Sequence, residues 1–405
     1  MTSIIEQSKE SILAEQLAAP FIKTERQSQL FKVAAELADR FSERAQGIDE
    51  AAQFPFDNFQ ELKNASYLSL TVPKEYGGEE ISLYEYILIQ ERMAQGDAST
   101  ALCIGWHLGV VYDLRIKRKW KEAQFQQLCN DVVNRQTLIN RCATEAATGS
   151  PTRGGKPATT AVRQGDKWVI TGRKSFASMA PGLDYSLITA AIAETNETGI
   201  FWLDHQLDGL SVEPNWDMLG MRGTRSDDLV LDHVELRLDA LVEKEGGDFY
   251  NIPNAWLLHS AACFIGVAIA ARNYAVKFAS EYKPNSLPGP IKEVPEVQRK
   301  IGEMELELLK ARHMLYSVAD RWDNEPEKRA QLGGEIAATK HIVSNSANKV
   351  VDWAMRIVGA QSLQQKNPLQ RYYRDVRAAL HNPPMDDVVI STLAKGAFAA
   401  YSDQQ

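Results

Sequence analysis

The hydrophobic period of this 405-residue chain changes twice, and those changes restrict the fold more than any single motif does. From Ser8 to Leu17 and from Ser28 to Arg44 apolar residues recur every three or four places, the stripe of an amphipathic helix. Asn58–Ala65 reads as a short helix, and Pro73-Lys74-Glu75-Tyr76-Gly77-Gly78 as a turn. A longer helix is expected from Leu83 through Ala94, and a more apolar one after Gly96-Asp97-Ala98-Ser99, reaching Leu114. Past residue 139 the runs shorten and fill with β-branched and aromatic residues: Ala158–Arg163, Lys167–Ile170, Ser186–Ile192, Ile200–Leu203, Leu210–Glu213 and Leu229–Leu236. Helical stripes then return over Trp256–Tyr282, Val297–Trp322, Gly334–Val358 and Asp387–Tyr401. The pattern predicts an α+β protein, mainly α, with an N-terminal helical domain (1–138), a central β-domain of barrel or sandwich type (139–240) and a C-terminal four-helix bundle (241–405).

Charge and cysteine usage exclude several classes. A net charge of -8 disfavours nucleic acid or an anionic membrane as the main partner. The four cysteines, Cys103, Cys129, Cys142 and Cys263, are far apart and lack C-x-x-C spacing, so neither a disulfide framework nor a zinc site is indicated. Met1–Gln16 lacks the uninterrupted apolar core of a secretory signal, and no run of 18 apolar residues occurs, so a cytoplasmic location is expected.

Chemistry concentrates in the middle. Cys142-Ala-Thr-Glu-Ala-Ala-Thr-Gly-Ser150 is dense in small residues and hydroxyls, which let a backbone approach a flat ligand and offer donors to its edge. Lys174-Ser-Phe-Ala-Ser-Met-Ala180 follows about thirty residues later. In the apolar helix, Gly105 and Gly109 leave an open face around His107, whose bland role is a core histidine bonded to a carbonyl. His205, His233, His259, His313 and His341 have no partners at ligand spacing and read as structural.

Together these stretches resemble the acyl-CoA dehydrogenase superfamily. Cys142–Ser150 resembles its C-x-T-E-x-x-x-G-S flavin segment, Leu219–Ser226 its G-x-R-x-x-x-S stretch and Arg374-Asp375 its R-D pair, and the likeness covers nearly the whole chain. Carried over, the resemblance places Ala143, Thr144, Gly149 and Ser150 along the flavin pyrimidine, Ser178 opposite flavin N5, Phe176 beside the ring, and Gly359 where flavin passes close to the backbone. It also implies a substrate cavity beside the His107 helix and a homotetramer.

Two departures bear on activity. The dehydrogenases need a carboxylate to take an α-proton while hydride leaves for the flavin, a contribution of roughly a hundred- to ten-thousand-fold. The usual base position falls on Pro383 and the alternative one on Trp256, neither of them acidic; Asp386 and Asp387 are nearby but read as first-turn helix acids. The R-x-x-F-G segment that reaches the FAD diphosphate is replaced by Leu287-Pro-Gly-Pro-Ile291, which favours FMN over FAD. Both departures resemble the two-component flavin monooxygenases related to dibenzothiophene monooxygenase, whose His-Asp-Pro sequence is similar to His381-Asn382-Pro383. The resemblance therefore implies a partner flavin reductase, a C4a-peroxyflavin, a small apolar substrate containing sulfur or nitrogen, and catalytic roles for Ser178, His381 and His107. A divergent acyl-CoA dehydrogenase with FAD, and a flavin-binding protein without catalysis, are the alternatives.

Overall fold

The computed structural model describes residues 9–148, 155–244 and 252–402. Its N-terminal part is helical: α1 (Lys9–Ala18), α2 (Glu25–Ala51), α3 (Phe56–Asn64), α4 (Leu83–Gly96), α5 (Ala98–Lys117) and α6 (Glu122–Arg135). Local chemistry sets the boundaries. Ser82 and Glu85 form a reciprocal capping box that starts α4, and Asp97 caps α5 by accepting from the Thr100 N–H at 2.9 Å. α4 and α5 are buried on nearly all sides, so they are interior helices and not surface ones.

The chain then forms one eight-stranded sheet, in the order β6-β7-β3-β2-β4-β5-β8 with β1 pairing β4 off that path. Its strands are β1 (Ile139–Cys142), β2 (Thr160–Gln164), β3 (Lys167–Lys174), β4 (Tyr185–Ile192), β5 (Thr198–Asp204), β6 (Leu210–Glu213), β7 (Asp228–Arg237) and β8 (Leu241–Lys244). β1 and β2 both run parallel to β4, while the other pairings are antiparallel. The parallel β1 brings Cys142 level with Ile188 and so fixes where the small-residue segment leaves the sheet.

α7 (Leu258–Glu281), α8 (Pro295–Asn324), α9 (Gly333–Val358), α10 (Pro368–Val376) and α11 (Asp386–Ser402) complete the fold. α7 is the one described helix long and apolar enough to cross a bilayer, yet it packs inside the protein against α4, α5, α8 and α9. The fourth bundle stripe behaves differently from its sequence expectation. α11 packs on α9 and buries Val389, while Ile390, Leu393, Phe398 and Tyr401 stay largely exposed. N-terminal and C-terminal helices share one core: Arg312 on α8 makes a two-pronged bond to the buried Glu91 on α4 (2.7 and 3.0 Å), and the Trp322 indole donates to Tyr112 at 2.8 Å.

Candidate active site

The segment that leaves β1 is held by a buried ion pair. Glu145 accepts from Lys174 at the end of β3 and from the Ala158 N–H at 2.6 Å and the Thr159 N–H at 3.2 Å. Lys174 also donates to the Thr189 hydroxyl at 3.2 Å. The ammonium lowers the Glu145 carboxyl against the upward push of burial, while burial lowers Lys174. With both ends pinned, the Ser175 N–H reaches the Thr144 carbonyl at 2.8 Å, so the two motif stretches lie side by side. Ala143 and Thr144 are half-buried here, while Gly149 and Ser150 lie outside the described residues.

The turn after β3 carries the platform. Phe176 and Met179 take left-handed backbone (φ 57° and 70°), which turns the Phe176 ring outward, 55% exposed and edge-on to Trp216 at 5.5 Å. A strained, exposed aromatic beside hydroxyls and backbone is a surface for a flat ring. Ser178 Oγ lies 2.9 Å from Ser226 Oγ, Ser226 lies 2.9 Å from Thr224 Oγ1, and the Cys103 thiol on α5 reaches the Thr224 carbonyl at 3.6 Å. This run of contacts joins the platform to the apolar helix. Gly359 ends α9 at φ +69°, ψ -151°, a conformation that excludes other residues, with nothing within 4 Å of an added Cβ. These residues fit a flavin in kind: an open aromatic face, hydroxyls at one edge, and a glycine where chain can pass a ligand.

The expectation for His107 is corrected by the structure. His107 is fully buried with both ring nitrogens committed: Nε2 donates to the Leu68 carbonyl at 3.0 Å and Nδ1 accepts from the Ile139 N–H at 3.2 Å. Burial pushes it down to about 4, so it is neutral, and it has no proton to offer a ligand. His381 is exposed at the end of a 3-10 turn. Asp386 is held by α9, accepting from Asn345 at 2.9 Å and lying 3.0 Å from His341 Nδ1. His259, read from sequence as structural, is instead buried next to Trp256 with neither ring nitrogen hydrogen-bonded among the described residues. A one-dimensional reading misses it because its neighbours come from α4 and α5; the only local signal is a histidine three residues after the alternative base position.

Asp375 closes the site from the bundle side. Its carboxylate accepts the Met221 N–H at 2.5 Å, and Arg374 binds Asp49 on α2 and the Leu219 carbonyl at 2.8 Å. Burial pushes the Asp375 carboxyl up to about 7.

A helical domain, a sheet domain and a helical bundle that meet around a platform for a planar cofactor define the class to which this chain belongs. The family descriptions "Acyl-CoA dehydrogenase, N-terminal domain", "middle domain" and "C-terminal domain" match residues 24–135, 141–234 and 258–382. YdbM of Bacillus subtilis (strain 168), a protein provisionally named an acyl-CoA dehydrogenase, is 53% identical over 93% of this chain and 99% of its own length. The chain belongs to the acyl-CoA dehydrogenase family, a family of flavin oxidoreductases. Among solved structures its fold is similar to butyryl-CoA dehydrogenase from Megasphaera elsdenii (TM-score 0.83, 19% identity, 93% and 99% of the two chains). It is also similar to FMN-bound TdsC from Paenibacillus sp. A11-2 (TM-score 0.79, 22% identity, 88% and 94%).

Proposed function

We propose that the protein is a reduced-flavin-dependent monooxygenase that takes FMN from solution and oxygenates a small substrate. One observation carries this reading: no carboxylate occupies either base position. Trp256 is buried at one and Pro383 stands at the other, while Asp386, the nearest acid of that loop with a resolved role, is bonded to α9. Without a fixed base, α-proton removal from a thioester loses a large part of its rate enhancement.

A bound reduced flavin would supply the electrons and the site of reaction with oxygen. The chain's residues do the rest. Ala143, Thr144 and Phe176 hold and orient the ring, Ser178 offers a hydroxyl at its edge, Gly359 lets the cofactor pass, and the apolar interior of α5 and α7 excludes water. A flavin reductase is the proposed electron source. A homotetramer is the proposed assembly, with exposed Leu306 and Leu309 on α8 and Ile390 and Phe398 on α11 available to other copies.

The test is rapid mixing of the protein, loaded with chemically reduced FMN, against oxygenated buffer. A spectrum distinct from both reduced and oxidised flavin, persisting before reoxidation, is expected; direct reoxidation would sink the reading. The 53% identity to YdbM favours a second reading, α,β-dehydrogenation of an acyl-CoA. That reading predicts anaerobic bleaching of the oxidised flavoprotein by acyl-CoA thioesters.

A further inference from the structure

Three hydroxyls run from the interior of the protein to the platform. Ser178 Oγ lies 2.9 Å from Ser226 Oγ, Ser226 Oγ lies 2.9 Å from Thr224 Oγ1, and Thr224 Oγ1 lies 2.9 Å from the Met221 carbonyl oxygen. Thr224 and Ser226 are closed to solvent, at 1% and 4% exposure, while Ser178 is half-buried two residues from the open ring of Phe176. The row therefore has one end in the core and the other at the ligand face.

The inner end fixes the direction of every bond in the row. Two oxygens bond at this separation only with a proton between them, and a carbonyl has none to give. Thr224 therefore donates its single hydroxyl proton to Met221. Ser226 must then supply the proton of its contact with Thr224, and Ser178 the proton of its contact with Ser226. Ser178 reaches the platform with its proton spent inward, able only to accept a bond from a ligand. The neighbouring backbone is committed as well: the N–H groups of Ser175, Ala177, Ser178 and Met179 go to the carbonyls of Thr144, Asp227, Phe176 and Thr224 at 2.8, 3.3, 3.0 and 3.0 Å.

We propose that Thr224 and Ser226 are positioning residues that make Ser178 an acceptor, so that this site selects reduced over oxidised flavin. The two forms differ at N5, which carries a hydrogen in the fully reduced ring and only a lone pair in the oxidised one. An acceptor takes the N–H of the first and meets the second lone pair to lone pair, leaving a polar atom on each side unpaired. The inference rests on the reading of the platform as a flavin site with Ser178 at N5. It gives that reading a physical basis for taking up flavin already reduced: tighter binding of one redox form shifts the potential of the bound cofactor toward that form.

The test titrates the full chain anaerobically, by calorimetry, with oxidised FMN and with FMN reduced by dithionite. Wild type is expected to bind the reduced form about ten-fold tighter, the scale of one buried hydrogen bond. For a two-electron couple that places the potential of bound FMN about 30 mV above that of free FMN. Thr224→Val removes the hydroxyl to which Ser226 donates, so Ser226 turns its proton to Ser178 and the Ser178 proton is freed for N5. The ratio of the two affinities should fall about ten-fold, whereas Thr224→Ser, which retains the hydroxyl, should keep it. Ser226→Ala frees the Ser178 proton directly and should act as Thr224→Val does, which keeps the test decisive if one of the two variants fails to fold. Damage to the fold weakens both forms alike, so the ratio is what counts. Equal binding of the two forms by wild type would overturn the proposal, as would a ratio unchanged in Thr224→Val or Ser226→Ala. Ser178→Ala separates the two layers: a wild-type ratio in that variant would show that Ser178 is not at N5 and sink the flavin placement together with this inference. A ratio lost in Ser178→Ala but kept in the other two variants would sink this inference alone.

Discussion

At the scale of single residues, hydrogen bonding decides what residue type cannot. His107 and His259 are both buried, neutral histidines on apolar helices, and only their partners separate them. His107 stitches the Leu68 carbonyl to the Ile139 N–H, joining the turn after α3 to the first strand. His107→Leu strands both of those buried backbone groups, and a loss of about 2–4 kcal/mol in urea unfolding is expected, with FMN affinity unchanged. A large drop in FMN affinity at unchanged stability would return His107 to the ligand site. Ser178 and Phe176 stand out in the sequence because they sit within a contiguous motif. His259 does not, since its neighbours are distant in sequence and meet only through helix packing.

At the scale of elements, the Glu145–Lys174 pair holds the end of β3 against the segment after β1, and so aligns the two motif stretches. Both side chains are almost fully buried, 4% and 0% exposed. Lys174→Met leaves a buried carboxylate with two backbone donors and no counter-charge, which costs about 3–5 kcal/mol. The expected outcome is a lower unfolding midpoint together with weaker FMN binding, because the Thr144–Ser175 contact loses its anchor. Joint replacement, Glu145→Met with Lys174→Met, should recover much of the stability, and a double variant no better than the single one would show that the charge is not the cause. The sequence marked both residues within motifs but not their pairing, which depends on strand register. α11 is the converse case: its stripe was legible as a helix, but the stripe alone could not say that most of its apolar residues face outward.

At the scale of the whole molecule, three domains meet at Asp375. The carboxyl lies on α10, its bonded N–H belongs to Met221 in the sheet domain, and the adjacent Arg374 holds Asp49 on α2. Burial pushes Asp375 up to about 7, from an unfolded value near 4. In that window the folded protein binds a proton that the unfolded chain releases, so this group's stabilisation is complete below about pH 4 and fades as pH rises through about 7. Asp375→Asn keeps an acceptor for Met221 and cannot titrate. The stability of wild type relative to Asp375→Asn is therefore expected to fall between pH 4 and pH 7.5, measured by denaturant unfolding at both ends. A pH-independent difference would refute the burial effect.

The sequence by itself determined the order of helical, sheet and helical regions, because hydrophobic period is a local property that each segment carries whatever it packs against. It also determined the absence of a carboxylate at positions 256 and 383, where residue identity is the whole of the observation. Tertiary structure decided which polar atoms are satisfied. His107 is closed by backbone from two other elements, whereas His259 is left open among rings from α4, α5 and its own helix, since hydrogen-bond satisfaction depends on groups that only folding brings within about 3 Å of one another.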